Sequence, residues 1–405
     1  METPTLRSGP LSGMRVLDLS HVMAGPVCGL MLADMGADVI KVEKIDGGDD
    51  TRRMTPPEIA GQSAAFMMMN RNKRGLALNL KSEQGRGVFK RLAGFADVLI
   101  ENYRHDTLER LGVGYDVLSA INPSLIYCEI SGFGRTGPFA TQGGFDLVAQ
   151  GMSGLMAITG EGPGRPPVKL GPPVTDITAG ILAAMGVAAA YAHKLRTGQG
   201  QRVDTSLFEA GITHTYWQSA ICFATGASPG PLGSAHPLSA PYQAFETADG
   251  WLNLGASNQK TWLTCVEVLG DASLAEDPRF ATNADRMANL PTLVDRLSAH
   301  FKTRPTADWL ERLAAAGVPA GPVLSIQDMH THPQTVARDM VPVVTHPVAG
   351  PVQTIGLPVK FSETPGRVGT PAPLLGEHTR EILIEAGYTN DESEALLGAG
   401  DVRTP

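Results

Sequence analysis

The apolar and polar positions near the start of the chain predict two short strands with a helix between them. Residues Met14–Ser20 and Ala37–Glu43 are mostly apolar, and each follows a glycine, as buried strands often do. A helix is predicted over Pro26–Gly36, because a proline at the first helical position has no N–H group to satisfy there. The order strand, helix, strand is typical of a β-α-β unit, which begins a Rossmann-like, doubly wound parallel sheet.

Strand and helix patterns continue to alternate along the first half of the chain. Strands are predicted at residues 76–80, 96–100, 125–130 and near 196–204, and helices at 82–92, 144–150, 177–194 and 206–225. Ligands of parallel sheets bind at the carboxyl ends of the strands, so the His21–Pro26 turn and the Glu43–Asp50 loop are candidate binding surfaces. The first strand is not followed by GxGxxG and the chain lacks a P-loop motif, so neither nucleotide site is expected.

Residues 226–241 differ in composition from the sequence before them. The stretch is rich in Gly, Pro, Ser and Ala and has the character of a linker. Tyr242–Thr247 and Trp251–Gly255 are predicted to form a hairpin around an Asp-Gly turn. Helices are expected near 258–269, 283–301 and 306–316, with a strand at 322–324, a β-rich segment at 341–361 and a C-terminal helix pair from 376. The segment after the linker therefore indicates a separate, smaller α+β domain.

The predicted helix over residues 177–194 is almost uncharged and is built from Ala, Gly, Met and Ile. A helix that is apolar all round is typical of a large core. Asp176 directly precedes it, where unpaired N–H groups and the positive end of the helix dipole favour an anion. Two interpretations stay open. Asp176 is either the N-cap of the helix or a carboxylate nucleophile kept ionised by the dipole.

Basic side chains cluster in or near the loops after the predicted strands. These residues are Arg52, Arg71, Lys73, Arg74, Arg104 and Arg110. Several cations at strand ends favour a phosphate-rich ligand, because Arg and Lys pair well with phosphate oxygens. The alternative is that they are solvated surface charges.

The composition excludes some classes of function. A net charge of -8 over 405 residues argues against a nucleic-acid-binding surface, which requires a basic surplus. The four cysteines have neither disulfide-framework nor zinc-type spacing, so no metal site is expected. No apolar run is expected to span a bilayer, residues 177–192 coming closest, and the N-terminal residues lack the order of a signal peptide. A cytoplasmic protein without a membrane partner is therefore expected.

Motifs along almost the whole chain carry a resemblance to a known family. They are LSGMRVLDLSHVMAGP (11–26), GADVIKVEK (36–44), NRNKRGLALNL (70–80), ADVLIENY (96–103), INPSLIYCEISGFG (121–134), TDITAG (175–180), RTGQGQRVD (196–204) and PLLGEHT (373–379). In this order they resemble the family III CoA-transferases, the CaiB/BaiF group that includes formyl-CoA:oxalate and carnitine CoA-transferases. The resemblance implies transfer of CoA from an acyl-CoA to a free carboxylate, with acyl-CoA as a substrate and no permanently bound cofactor or metal.

The resemblance also implies roles for individual residues. The family's catalytic aspartate falls on Asp176, which would form acyl anhydride and CoA thioester intermediates in turn. By the same motifs, Phe145 and Asp146 are expected near the reacting centre. The family's active site lies between the large domain of one chain and the small domain of the other, which implies His236 and Tyr242 as contributors from a partner chain. The implied CoA contacts are His21, Met23, Ala24, Lys44, Asn72, Lys73 and Arg110.

Two departures from the family patterns bear on the reaction. The α-methylacyl-CoA racemases use a His where this chain has Phe145, and a phenyl ring cannot move a proton. The sequence at 233–237 lacks the Gly-rich loop of the formyl-CoA enzyme, so oxalate is disfavoured as the acceptor. The pattern is closer to members that use succinyl-CoA and a larger dicarboxylic or hydroxy acid. A racemase, formyl-CoA:oxalate transfer and a non-catalytic acyl-CoA-binding protein remain as alternatives.

The family resemblance further implies an interlocked homodimer. In that fold the N- and C-terminal parts of one chain form the large domain. The expected bounds are residues 1–224 for the first part of the large CoA-binding domain, 225–335 for the small α+β domain, and 336–405 for the part that completes the large domain.

Overall fold

The computed structural model describes residues 8–405. The N-terminal stretch considered for a signal peptide includes residues 1–7, and these seven residues lie outside the described range. The strands are β1 (Arg15–Asp18), β2 (Asp38–Glu43), β3 (Glu58–Ile59), β4 (Gln62–Ser63), β5 (Lys73–Leu78), β6 (Val98–Glu101), β7 (Ile126–Ser131), β8 (Arg202–Ser206), β9 (Tyr242–Glu246), β10 (Trp251–Gly255), β11 (Ala320–Pro322), β12 (Val343–His346), β13 (Gly350–Gln353) and β14 (Val402–Arg403).

The helices lie between these strands and after the last large hairpin. They are α1 (Ala24–Asp34), α2 (Ala64–Asn70), α3 (Glu83–Ala93), α4 (Thr107–Arg110), α5 (Tyr115–Ile121), α6 (Asp146–Met152), α7 (Leu155–Ile158), α8 (Val174–Thr197), α9 (Leu207–Thr213), α10 (Tyr216–Thr225), α11 (Gln259–Leu269), α12 (Ser273–Glu276), α13 (Asn283–Ala288), α14 (Leu290–Phe301), α15 (Thr306–Ala315), α16 (Ile326–Thr331), α17 (Pro333–Ala337), α18 (Thr379–Glu385) and α19 (Asn390–Gly398).

The chain forms two compact units. The first comprises the residues up to Gly154 together with Leu170–His214 and Pro333–Pro405. The second comprises Leu155–Lys169 and Thr215–His332. The domain bounds expected at 225 and 335 stay predictions.

A seven-stranded sheet organises the first unit, with the strand order β14-β5-β2-β1-β6-β7-β8. All neighbouring strands from β5 to β8 are parallel, and only the edge strand β14 is antiparallel. Successive residues point to opposite faces, so Val16 belongs to a core cluster with residues of α1, α8 and α9, whereas Leu17 belongs to one with residues of α3, α5, α18 and α19. Helices on both faces of a parallel sheet confirm the predicted α/β class.

Charged residues account for one difference between the predicted and observed strands. The strand predicted at 76–80 is β5, which begins at Lys73 and ends at Leu78. Lys73 and Arg74 are buried in the strand because both side chains form ion pairs inside the protein. A buried charge is tolerated when it is paired, and the partners are distant in sequence.

The second unit contains the three-stranded antiparallel sheet β11-β10-β9. The predicted hairpin is confirmed, because Trp251–Gly255 pairs with Tyr242–Glu246 in antiparallel register. The helix predicted over 283–301 is two helices, α13 and α14. Pro291 lies in the first turn of α14, where a proline cannot continue a preceding helix.

Helix α8 is longer than the sequence pattern indicated. With 24 residues it is long and apolar enough to cross a membrane by length and composition, so the expectation that no run reaches this length is wrong. Its small residues pack on α1, β7, β8 and α9, as a core helix does. At Gly180 the two helices approach so closely that an added Cβ would lie 2.5 Å from the Ala24 carbonyl oxygen and 2.8 Å from Val27 Cβ.

We therefore expect Gly180→Ala to destabilise the protein by about 1–3 kcal/mol, because the extra carbon must push α8 away from α1. The free energy of unfolding in urea measures this effect. Gly87→Ala is the matched control, since Gly87 lies inside α3 with nothing within 4 Å of an added Cβ. That change should stabilise by about 0.5–1 kcal/mol. Equal effects of the two substitutions would contradict the close contact.

Candidate active site

A cavity of about 850 Å³ opens at the carboxyl edge of the parallel sheet in the first unit. Its wall is built from segments that follow β1, β2, β5, β6 and β7, together with the first turn of α8 and the start of α9. Both predicted binding surfaces, the His21–Pro26 turn and the Glu43–Asp50 loop, contribute residues to it. Parallel strands end at the same edge, which is why segments distant in sequence meet there.

Asp176 lies in the cavity wall as the third residue of α8, not before the helix. The N-cap is Pro173, which offers no side-chain acceptor, so the interpretation of Asp176 as the cap is wrong. Asp146 accepts hydrogen bonds from the Thr175 N–H at 3.0 Å and from the Thr175 hydroxyl at 2.8 Å. The first turn of α8 is therefore capped by a side chain from α6.

The surroundings of Asp176 favour its neutral form. Burial, and then the nearby Asp146 carboxylate, raise the pKa of Asp176 from 3.8 to about 7. This rise in pKa corresponds to about 4 kcal/mol, an upper figure for a side chain that keeps some contact with water. A helix dipole contributes about 0.3–1 kcal/mol in the opposite direction. Desolvation therefore outweighs the dipole, contrary to the expectation that the dipole keeps Asp176 ionised.

The turn after β1 is held by side chains from other strand ends. Asn102 accepts the His21 N–H at 2.7 Å and donates to the His21 carbonyl at 2.8 Å. The Val22 N–H donates to Asp49 at 3.2 Å, and Val22 has a φ of +67°, which is rare for a β-branched residue. These bonds fix the turn that presents Met23 and Ala24 to the cavity.

Two buried ion pairs lie beneath that turn. Lys73 Nζ lies 2.8 Å from Asp18 Oδ2, and Lys41 Nζ lies 2.9 Å from Asp49 Oδ2, with all four side chains excluded from water. Lys41 also donates to the Ser20 carbonyl. Because removing one partner would leave a buried charge unpaired, these pairs hold the turn in one geometry.

Most of the residues predicted to contact CoA lie together in the cavity wall. The residues His21, Met23, Ala24, Lys44 and Arg110 all line it, and so does Phe145, a residue that is 76% exposed. Lys44 is paired at 2.9 Å with Asp50, which also lines the cavity.

Asn72 and Lys73 are placed differently from the other predicted CoA contacts. Neither lines the cavity, and both are buried. The Asn72 amide bonds to Asp34 and to the backbone of the segment at residues 367–370. Lys73 donates to Asp18, to Asn70 and to the Pro26 carbonyl. Their polar groups are therefore used to join parts of the first unit.

The other predicted cations divide in the same way. Arg52, Arg71 and Arg74 form ion pairs with carboxylates inside the first unit. Arg104 lines the cavity beside Arg110. Lys81 and His105 line it too and were missed, although Lys81 directly follows a predicted strand, the signal used for the other cations.

His236 and Tyr242 belong to the second unit. The centroids of these two rings lie 5.2 Å apart, and the Trp217 ring centroid lies 5.8 Å from that of His236. His236 Nδ1 accepts the Leu238 N–H at 3.1 Å. Their contribution to a reaction stays a prediction. Among residues 8–405, no group of three or more His, Cys, Asp or Glu side chains is arranged to hold a metal ion.

Comparison with known proteins adds to this geometry. Residues 11–379 match the family described as CoA-transferase family III. The chain is 40% identical to succinate–glutarate CoA-transferase of Agrobacterium fabrum, with 94% of this chain and 96% of that protein aligned. It is 39% identical to acetyl-CoA:oxalate CoA-transferase of Acetobacter aceti, with 95% and 97% aligned.

A solved structure has the same fold. The crystal structure of a CaiB/BaiF family protein from Brucella suis superposes with a TM-score of 0.84 at 39% identity, covering 94% of this chain and all of that one. The names of the Agrobacterium fabrum and Acetobacter aceti enzymes give different donors and acceptors, so sequence similarity alone does not identify the substrate pair of this chain.

The raised pKa of Asp176 leads to a prediction about stability. Between pH 4 and 7 the folded protein binds a proton at Asp176 that the unfolded chain releases, so Asp176 lowers stability as the pH rises. Asp176→Asn removes this effect. We expect the variant to gain roughly 2 kcal/mol over the unaltered protein at pH 8 and almost nothing at pH 4, measured by urea unfolding. A difference that does not change with pH would contradict the shielded carboxyl.

Proposed function

The chain belongs to CoA-transferase family III, and on that premise we propose that it moves CoA from succinyl-CoA to a dicarboxylic acid with Asp176 as the nucleophile. The observation that carries this proposal is the Asp176 carboxyl, partly shielded from water in the wall of a cavity that also exposes several cations. A succinate–glutarate CoA-transferase at 40% identity supports the choice of donor and acceptor class.

The cavity suits a long substrate with phosphate at one end. Lys44 and Lys81 follow β2 and β5, and Arg104 and Arg110 follow β6, so these four cations lie at strand ends on both sides of β1. Phosphate oxygens of CoA would bind there. The segments after β7 and β8 contribute the apolar side chains of Ala140, Phe145 and Leu207 to the wall that holds Asp176, which suits the acyl end. Arg135, which also follows β7, lines the cavity with its charge paired to Glu101 and Glu129.

The proposed reaction proceeds in four steps. The Asp176 carboxylate attacks the donor thioester carbonyl, giving an acyl-aspartyl anhydride and CoA thiolate. The thiolate attacks the Asp176 carbonyl, which releases the donor acid and leaves an aspartyl-CoA thioester. The acceptor carboxylate attacks that thioester and forms a second anhydride with release of thiolate. The thiolate then attacks the acceptor carbonyl, giving the new acyl-CoA and free Asp176.

The pKa of Asp176 suits this role. A carboxylate with a pKa of about 7 is more basic than an ordinary aspartate, and a poorly solvated anion is a better nucleophile. Because the step requires the ionised form, the rate of transfer should rise with pH through this value. Phe145 gives no support to the racemase alternative, since its ring cannot exchange a proton.

We also propose that the active protein is an interlocked homodimer in the cytoplasm, with the small domain formed by the middle of the chain. One face of α8 supports the homodimer. Ile181 and Met185 on that face are 48% and 64% exposed in the single chain. Large apolar side chains grouped on one helix are typical of a surface that another protein chain covers.

We expect a covalent adduct on Asp176 when the protein is incubated with succinyl-CoA alone. Mass spectrometry of the peptide that contains Asp176 should detect it, and hydroxylamine should release it, because anhydrides and thioesters react with amines. Asp176→Asn should abolish both the adduct and transfer. Asp116→Asn, on the exposed face of α5, is the control that should keep both. Full transfer by Asp176→Asn would refute the proposal.

A further inference from the structure

We infer that Gln150, a buried residue outside the cavity wall, is a positioning residue for the Asp176 carboxylate. The inference rests on the proposed role of Asp176. Gln150 is fully excluded from water on α6, and neither the motifs nor the cavity point to it. The residues Leu170–Thr175, which directly precede Asp176, are called the approach segment. Hydrogen bonds connect Gln150 to both ends of this segment, directly at Leu170 and through Asp146 at Thr175.

The side chain of Gln150 uses both of its polar atoms. Oε1 accepts the Leu170 N–H at 2.9 Å, which fixes the first residue of the approach segment. Nε2 donates to Asp146 Oδ2 at 2.8 Å. The other oxygen of Asp146 holds Thr175, the last residue of the approach segment, through two hydrogen bonds. Side chains from the single helix α6 therefore hold both ends of the approach segment by hydrogen bonds.

The spacing of Asp146 and Gln150 in the sequence allows both side chains to hold the approach segment. Asp146 and Gln150 are four residues apart on α6, so their side chains lie on the same face of the helix. Between the two fixed ends, Pro172 and Pro173 each have a restricted φ, which stiffens the approach segment. A displacement at either end is therefore transmitted along the segment to Asp176.

Thr175 links these hydrogen bonds to Asp176, because it is the residue directly before the nucleophile. It is fully buried next to Asp176, and the α9 backbone approaches so closely that a Cβ on Gly211 would lie 3.3 Å from the Thr175 methyl group. Packing on one side and Asp146 on the other leave Thr175 one position. The direction of the Asp176 side chain follows from it.

An amide meets both demands on residue 150. The Leu170 N–H requires an acceptor and the Asp146 carboxylate requires a donor, and glutamine supplies one of each. A glutamate would place two carboxylates against each other, and an apolar side chain would remove the acceptor of the part-buried Leu170 N–H. The Asp146 carboxylate would then lose one of its three donors and its fixed orientation.

The test compares Gln150→Met, which keeps the length of the side chain, with Asn122→Leu as a matched control. Asn122 is another buried amide, which bonds to the carbonyls of Ala93 and Ala96 and does not line the cavity. Both variants should lose stability. We expect Gln150→Met to form the Asp176 adduct about ten- to a hundredfold more slowly, because a displacement near 1 Å has an effect of this size. Its KM for the donor acyl-CoA should stay within about twofold, and Asn122→Leu should keep the rate of the unaltered protein.

The outcomes separate the two ideas. If Gln150→Met and Asn122→Leu lose similar stability and form the adduct equally fast, Gln150 is merely structural and the inference is overturned. If the unaltered protein forms no adduct on Asp176, both the proposed nucleophile and its positioning residue are overturned. Gln150→Leu repeats the comparison if the methionine variant does not fold, and the same two results decide it.

Discussion

The close contact between α8 and α1 is the constraint on which the site depends. Gly180 has no side chain, so α8 lies directly against the Ala24 carbonyl and Val27 at the start of α1. Asp176 is one turn earlier on α8, and this contact brings it to the edge of the sheet where β1 ends. Without that approach, the carboxyl and the turn that presents Met23 and Ala24 would not share a cavity wall.

The buried carboxylates around the cavity differ in whether a cation accompanies them. Asp176 receives no hydrogen bond and no ion pair from residues 8–405, and the charged group that raises its pKa is another carboxylate, Asp146. The carboxylates of Asp18 and Asp49 are more completely shielded from water than that of Asp176, but each has a lysine partner. Paired buried charges stabilise one geometry, whereas an unpaired carboxyl is raised in energy as an anion and is more reactive. Asp18 and Asp49 therefore stabilise the structure, whereas Asp176 is the reactive carboxylate of the proposal.

The apolar pattern predicted much of the fold. It located the first β-α-β unit and the hairpin around Asp249, because both have short-range signals. It placed the start of α8 after Asp176, whereas the helix begins at Val174. The residue that caps this helix is Asp146, which lies 29 residues before Thr175 and is brought there only by tertiary packing.

The site was predictable to the extent that its residues follow strands or family motifs. His21, Lys44 and Asp176 met that condition and line the cavity. Lys73 lies within a family motif too, but the register of β5 against its neighbours turns its ammonium group towards Asp18. Gln150 carries no local signal, since its importance rests on bonds to residues four and twenty positions away.

Transfer of an oxygen isotope would test the central claim most directly, because the proposed second anhydride moves one acceptor oxygen onto Asp176. The aspartyl-CoA form of the protein would be reacted once with a dicarboxylic acid acceptor whose carboxylates carry ¹⁸O. The proposed steps predict that the peptide containing Asp176 gains one ¹⁸O atom, seen by mass spectrometry as a shift of about 2 Da, as its CoA leaves on the acceptor. Formation of the new acyl-CoA with no label on Asp176 would contradict the account.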